Sequence, residues 1–359
     1  MQAPRLPLFK LQLGLTEFGH WLALPSLALA FIPWMRKEQR AARLACALAA
    51  LLCLSPALQA WIMAPGLVHD ASAAWPKAPP YLGPAFSWQR LFTTDAPGPG
   101  ILREDLVFDP AHQLSLTCWR RADGEGRALK RPYVLVIHGG GWDGGQRDDF
   151  PRWDQALAGM NYGVIDIDYR LAPAFPWPAQ RQDILQAMQC VRKNAGRWGI
   201  DPERCVLMGR SAGAHLALAA AYLKSDPAIQ GVVSFYGPAD LFFAYQYGEP
   251  DDILRSLDLL KNFCAGTPAS NRANYDNASP YFHVSAQTPP TLLAHGRIDA
   301  LVWQKQSSRL ALKLRESGRP CQFIDLPWAT HAFDYNFQGP SGQLAWYSLQ
   351  RFLATVLPQ

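Results

Sequence analysis

Three residue types that together activate a hydroxyl, a serine, an acid and a histidine, occur in this chain at Ser211, Asp299 and His331. Ser211 stands in Gly209-Arg210-Ser211-Ala212-Gly213. The apolar run Arg204-Cys205-Val206-Leu207-Met208 before it reads as a buried strand, and the Ala- and Leu-rich residues 212–223 after it read as a helix. A serine between a strand end and a helix start sits on a sharp turn. The flanking glycines let the backbone make that turn and keep side chains away from the hydroxyl. The helix N-terminus offers N–H groups and positive dipole to a developing oxyanion. The chemistry this suits is nucleophilic attack by an activated serine.

The supporting residues recur at strand ends. Pro132-Tyr133-Val134-Leu135-Val136-Ile137 has the composition of a core strand and runs into His138-Gly139-Gly140-Gly141-Trp142. Three consecutive glycines cost backbone entropy, so the spot must require them. Close approach of a substrate oxygen to bare N–H groups is such a requirement. Further on, Thr291-Leu292-Leu293-Ala294-His295-Gly296-Arg297-Ile298-Asp299 reads as strand, turn and acid. Gln322-Phe323-Ile324-Asp325-Leu326 reads as another strand, ahead of His331. A neutral serine is a poor nucleophile. His331 would take its proton and return it to the leaving group, and Asp299 would fix the imidazole tautomer and stabilise its charged form.

The order Ser, Asp, His is that of α/β-hydrolase triads. With the motifs Asp168-Tyr169-Arg170-Leu171-Ala172-Pro173, Gly209-Arg210-Ser211-Ala212-Gly213-Ala214-His215, Tyr236-Gly237-Pro238-Ala239-Asp240-Leu241 and Ser279-Pro280, the chain over residues 105–357 resembles the hormone-sensitive-lipase-like carboxylesterases. It is also similar to the neighbouring feruloyl-esterase-like branch. The resemblance implies oxyanion donors at Gly140, Gly141 and Ala212. Gly139 would support the turn, and Gly139 and Trp142 would border the bound ester. It implies a serine carboxylester hydrolase that works through an acyl-enzyme on a short- to medium-chain or acetyl ester, without cofactor. An acyltransferase, a peptidase and a catalytically silent binding protein are the rival uses of the same apparatus. Two departures bear on the pocket. Ala174-Phe175-Pro176 stands where many relatives carry an acid, and Ala332 follows the histidine where glycine is usual.

Asp240, Asp325 and Asp334 are alternative orienters of a histidine, but Asp299 lies in a loop after a strand and ahead of the last catalytic strand. His138 is expected to buttress the glycine loop, and His295 to brace the Asp299 loop. His215 lies one helical turn beyond Ser211, and His20, His69, His112 and His283 have no motif around them. No H-E-x-x-H or paired Cys-x-x-Cys spacing points to a metal site. Gly98/Gly100 and Gly124/Gly126 precede no helix and read as loops rather than phosphate cradles.

The elements needed to hold these residues are legible in alternation. Strands near 133–137, 163–168, 204–208, 231–236, 291–295 and 322–326 alternate with helical stretches near 151–160, 179–197, 212–224, 303–316 and 341–356. An edge hairpin precedes them at 105–108 and 114–119. The class is therefore α/β, with a mainly parallel central sheet flanked by helices. Residues 242–278 interrupt the alternation and are read as a cap insertion in a catalytic domain at 105–359. Residues 75–104, rich in Pro and Gly, read as a linker.

Residues 1–74 are of another kind. Residues 18–35 and 44–64 carry no formal charge, and four basic residues lie between them, within 36–43. Each run approaches the length needed to cross a bilayer core. A hydrophobic helical hairpin anchored with its basic loop in the cytoplasm would place the catalytic domain outside. A cleaved export signal starting near Met35, with Ser55-Pro56-Ala57-Leu58-Gln59-Ala60 as processing site, is a second reading. A buried helical lid over the active site is a third. The net charge of +5 in 359 residues is modest and its basic residues are scattered outside that loop, which argues against a nucleic-acid surface. If the chain is exported, Cys118, Cys190, Cys205, Cys264 and Cys321 could form disulfides.

Overall fold

The computed structural model describes residues 5–30, 40–79, 82–93, 100–122, 130–223 and 226–359. The basic loop of the hairpin, the end of the first apolar run and Gly98, Gly124 and Gly126 lie largely or wholly outside these residues.

Two N-terminal helices come first, α1 (Leu6–Ala30) and α2 (Arg40–Ala74). The alternating domain follows as β1 (Ile101–Asp109), β2 (Leu114–Arg121), β3 (Arg131–Ile137), α3 (Pro151–Gly159), β4 (Gly163–Ile167), α4 (Ala179–Trp198), β5 (Ile200–Arg210), α5 (Ala212–Tyr222) and β6 (Ile229–Phe235). Three short helices occupy the interrupting stretch: α6 (Leu241–Tyr247), α7 (Ser256–Phe263) and α8 (Arg272–Ala278). Then come β7 (Thr291–Gly296), α9 (Lys305–Glu316), β8 (Cys321–Leu326) and α10 (Pro340–Val356).

The eight strands form one sheet in the order β1-β2-β4-β3-β5-β6-β7-β8. β1 and β2 pair antiparallel, as do β2 and β4; every later pairing is parallel. The central strands β3 and β4 are buried at every position, because helices cover both faces of a parallel sheet. Side-chain alternation divides each strand between two cores. Leu135, Ile137, Cys205 and Leu207 face the core under α4, α5 and α9. Val134, Val136, Val206 and Met208 face the core under α3 and α10. The edge strand β8 alternates partly and fully buried residues.

The hairpin reading requires corrections. The first helix begins at Leu6, well before residue 18, and takes in Lys10 and Glu17. The second runs ten residues past the expected end, to Ala74, because its last turns are held by the α/β domain: Ala57, Ala60, Leu67 and Ala71 join the core under α10. Among the described residues, α2 alone is long and apolar enough to cross a membrane. The possible processing site, Ser55 to Ala60, lies inside α2. Gly19 marks the helix crossing, since a Cβ there would stand 2.6 Å from the carbonyl oxygen of Cys53. Residues 75–104 are not a free linker where described. Trp75 donates from Nε1 to Gln322 Oε1 at 2.7 Å and packs edge-on against Phe352. Ala85, Phe86 and Leu91 are core residues, and β1 already begins at Ile101. Apolar anchors spaced among the prolines make this segment part of the fold. All seven cysteines are unpaired.

α1 is tied to the α/β domain through a buried carboxyl. Ser341 Oγ donates to Glu17 Oε1 at 2.7 Å, the Ser341 N–H donates to Oε2 at 3.3 Å, and Asn336 Nδ2 donates to the Glu17 carbonyl at 2.7 Å. Burial, opposed by the Ser341 hydrogen bonds, raises Glu17 from its ordinary 4.5 to about 8. A folded pKa above the unfolded one means that the folded state holds the proton more tightly. The docking stability is therefore fully present below about pH 4.5 and is lost as pH rises through about 8, at up to about 1.4 kcal/mol per pH unit. Thermal unfolding of the full chain in detergent micelles should show this fall across pH 5–8, and Glu17→Gln should flatten it. An equally steep fall in the variant would assign the effect to another group.

Candidate active site

Ser211 lies at the β5–α5 junction with φ 53° and ψ −121°, a conformation that costs a non-glycine residue roughly 1–3 kcal/mol. Neighbouring chain enforces it. The Ser211 N–H donates to Phe235 O at 2.9 Å, and a Cβ on Gly209 would stand 2.2 Å from Gly213 O. The strained turn holds the side chain at the end of β5 and half-buried, beside the first turn of α5. There the Ala212 N–H is one of the helix-start donors that have no partner four residues back.

His331 lies in the loop after β8. Its Nε2 is 2.9 Å from Ser211 Oγ, and its Nδ1 is 2.7 Å from Asp299 Oδ2. An ionised carboxylate only accepts, so Nδ1 carries the proton and Nε2 is left to accept from the serine hydroxyl. The other oxygen of Asp299 accepts from the N–H groups of Leu301 and Val302 at 2.8 and 2.9 Å. His295 reaches Asp299 Oδ2 at 3.2 Å with Nε2, which also donates to Val302 O, while its Nδ1 meets Ser307 Oγ. Burial pushes the Asp299 carboxyl up, but His331 and His295 outweigh it and hold the group well below the usual carboxylate range. The acid therefore stays charged beside the imidazole and holds its proton on Nδ1.

The glycine loop faces this pair. Gly140 has φ +108° and Gly141 φ +62°. A Cβ on Gly140 would lie 2.2 Å from Gly144 O, whose own N–H donates back to Gly140 O. Gly139 runs against the serine turn, its Cβ position 3.4 Å from Ser211 Cβ. His138 stacks on Tyr169 with ring centroids 4.2 Å apart, and Tyr169 OH donates to His138 O. Trp142 is buried: its indole stacks on Phe263 of α7 and its N–H donates to His215 Nδ1 at 3.2 Å. His215 in turn donates from Nε2 to Ala278 O, and burial lowers it to about 4, so it stays a neutral strut. Leu259 of α7 reaches the Gly141 Cβ position at 2.9 Å, which seats the α6–α8 segment over the loop. Ser279 closes that segment at its base by accepting from the Leu241 N–H and donating to Tyr275 O.

The acids weighed against Asp299 lie elsewhere. Asp240 caps α6 by accepting from the Phe243 N–H and pairs with Arg309, and Asp325 pairs with Arg297. Asp334 pairs with Arg210, a partnership that sequence reasoning missed although both residues adjoin the motifs. Ala332 has φ +57°, which gives a physical reason for glycine being usual there. Among the described residues, no group of three or more His, Cys, Asp or Glu side chains is arranged to hold a metal ion. A cavity of about 370 Å³ between α1 and the α/β domain is lined by Phe18, Trp21, Phe150 and Tyr335; Ser211, Asp299 and His331 are not among its lining residues.

Comparison with known proteins adds a family. The BD-FAE family profile matches residues 124–314. The probable carboxylic ester hydrolase LipM of Mycobacterium tuberculosis is 31% identical over 257 residues, covering 67% of this chain and 58% of the relative. Esterase LipQ of the same organism is 31% identical over 247 residues, covering 64% and 57%. The match thus spans less than two thirds of the length of these relatives. Among solved structures, the thermophilic esterase Est2 of Thermogutta terrifontis superposes with a TM-score of 0.57 at 22% identity, covering 73% of this chain and 95% of that one. A bacterial heroin esterase gives 0.60 at 21%, covering 72% and 85%. At such identities the structures speak for the fold.

Proposed function

Because the chain belongs to the BD-FAE family of α/β-hydrolases, we propose that it is a serine carboxylester hydrolase in which Ser211, His331 and Asp299 form the triad. The observation that carries this reading is the unbroken hydrogen-bonded line from Ser211 Oγ through His331 to Asp299. His331 Nε2 takes the hydroxyl proton as Oγ attacks the ester carbonyl. The carbonyl oxygen becomes an oxyanion, received by the N–H groups of Gly140, Gly141 and Ala212. As the C–O bond breaks, His331 passes its proton to the departing alcohol and an acyl-serine remains. Water then loses a proton to His331 and attacks the acyl carbon; collapse releases the acid and restores Ser211. Gly139 and Trp142 border the ester. The helices α6–α8, seated over Gly141 through Leu259, favour an acetyl or a short- to medium-chain acyl group.

The outer parts of the hairpin suit a bilayer. On α2, Leu44, Leu48, Leu51 and Leu52 are exposed, as are Leu22, Leu24 and Leu29 on α1. With these faces in lipid and the basic residues of 36–43 on the cytoplasmic side, the hydrolase lies beyond the membrane. Protease accessibility of the hydrolase in sealed cells tests that placement.

The activity is tested with p-nitrophenyl esters from acetate to palmitate on the full chain in detergent micelles, with a fluorophosphonate probe alongside. The expected result is hydrolysis that is fastest at or below medium chain length, with the probe attached to the peptide containing Ser211. Absence of both hydrolysis and labelling in folded protein would overturn the reading. Alcohol added as co-substrate separates ester hydrolysis from acyl transfer by the products formed.

A further inference from the structure

We infer that Asp334 is a positioning residue that sets His331 against Ser211 through its buried contacts with Arg210 and Tyr236, an inference that rests on the proposed reading of Ser211 as a nucleophile activated by His331. Asp334 is fully buried, three residues beyond His331, and both its oxygens are engaged. Arg210 Nε donates to Oδ2 and Tyr236 OH donates to Oδ1, each at 2.5 Å. Arg210 is the residue immediately before Ser211. Tyr236 follows β6, and its ring lies against the His331 imidazole with centroids 4.5 Å apart. One carboxylate therefore joins the segment that carries the nucleophile, the segment that carries the base, and the aromatic wall behind the base.

The surroundings fix each partner. The Arg210 guanidinium lies over the Phe150 ring at 4.1 Å and near Trp153 and Phe235. Trp153 Nε1 donates to the main-chain oxygen of Asp334 at 3.0 Å, so the backbone of the His331 loop is pinned as well as the side chain. The Tyr236 N–H donates to Ala294 O, which ties the ring to the strand leading to Asp299. A buried ion pair is weak evidence for stability, since apolar replacement of both members is often neutral. What this pair supplies in addition is orientation. Displacing a reacting group by about 1 Å costs on the order of a hundredfold in rate. Replacing Asp334 alone would strand a buried guanidinium, so the informative change removes both charges.

The test uses the full chain in detergent micelles, with Arg210→Met and Asp334→Leu combined and Tyr236→Phe alone. The double variant is expected to remain folded and to lose roughly 10- to 100-fold in kcat with KM changed less than about twofold. The downfield proton resonance of the His331 Nδ1–H should shift or broaden in it. Tyr236→Phe keeps the ion pair and should lose a smaller factor, about 3- to 10-fold. Wild-type kcat together with an unchanged His331 resonance in the double variant would overturn the inference. Should the double variant not fold, Tyr236→Phe carries the same two readouts. The resonance needs no turnover, so if folded wild-type protein neither hydrolyses esters nor takes the fluorophosphonate label the triad reading falls by itself, and an unaltered resonance in the variants would independently remove the positioning role.

Discussion

Ser211→Ala is expected to lower kcat for p-nitrophenyl ester hydrolysis at least about a thousandfold while leaving the thermal unfolding midpoint close to that of the wild type. The two halves of this expectation have separate causes. In the proposed mechanism the hydroxyl is the atom that bonds to the acyl carbon, and no neighbouring side chain replaces it: the nearest candidates, His331 and Asp299, are committed to each other through Nδ1 and Oδ2. Activity left in the variant would come from binding and from the proposed donors Gly140, Gly141 and Ala212 alone. The fold does not use the hydroxyl, because the hydrogen bonds that hold residue 211 run through its backbone, to Phe235 O and from the His215 N–H. The strained φ of 53° persists in alanine, so the strain is present in both proteins and cancels. Turnover of the variant within tenfold of wild type would remove Ser211 from the mechanism. Loss of activity accompanied by a large fall in the unfolding midpoint would mean that the hydroxyl serves the fold.

The sheet was readable in advance because its strands are buried on both faces. Tyr133 to Ile137 and Cys205 to Met208 are apolar runs in which every side chain needs a dry neighbour, and glycine or charge punctuates their ends. Ser211 was readable because Gly209 and Gly213 have no other physical excuse at a strand–helix junction. Asp334 shows where this reading stops. In sequence it is set aside because Asp299 follows a strand and precedes the last one; what only the fold shows is that its carboxyl turns toward Arg210 while His331 Nδ1 faces Asp299. The N-terminal helix was misjudged at Glu17 for a similar reason. A charged residue ended the apolar window, yet its partner is Ser341, at the far end of the chain, which no local pattern announces. Trp75 and Gln322 are separated almost as widely. Proline content likewise masked Phe86 and Leu91 as core residues, since a loop with apolar anchors has the same composition as one without them.

The fold and the proposed chemistry meet at Gly213, where Gly213→Ala is expected to cost more than about 4 kcal/mol and to deplete folded protein. A Cβ there would stand 2.1 Å from Ile137 O and 2.3 Å from His138 O. Both are backbone oxygens at the end of β3, so no side chain can swing aside, and relief requires the start of α5 to move off the strand. Gly196→Ala is the control. That glycine lies exposed in α4 with nothing within 4 Å of its Cβ position, and alanine there should stabilise by about 0.5–1 kcal/mol through lower backbone entropy in the unfolded chain. Denaturant unfolding of the two variants should therefore move in opposite directions. If Gly213→Ala unfolds within about 1 kcal/mol of wild type, the close approach of α5 to β3 is not required by the fold. That approach places the Ala212 N–H, on the serine side, beside the strand that delivers Gly140 and Gly141. A residue larger than glycine would separate the two sets of proposed oxyanion donors before it touched the proposed triad. A variant rescued for folding by a compensating change should accordingly still be labelled on Ser211 by the fluorophosphonate, more slowly, while losing turnover, since labelling needs one slow attack and the proposed catalysis needs all three donors in register at every cycle.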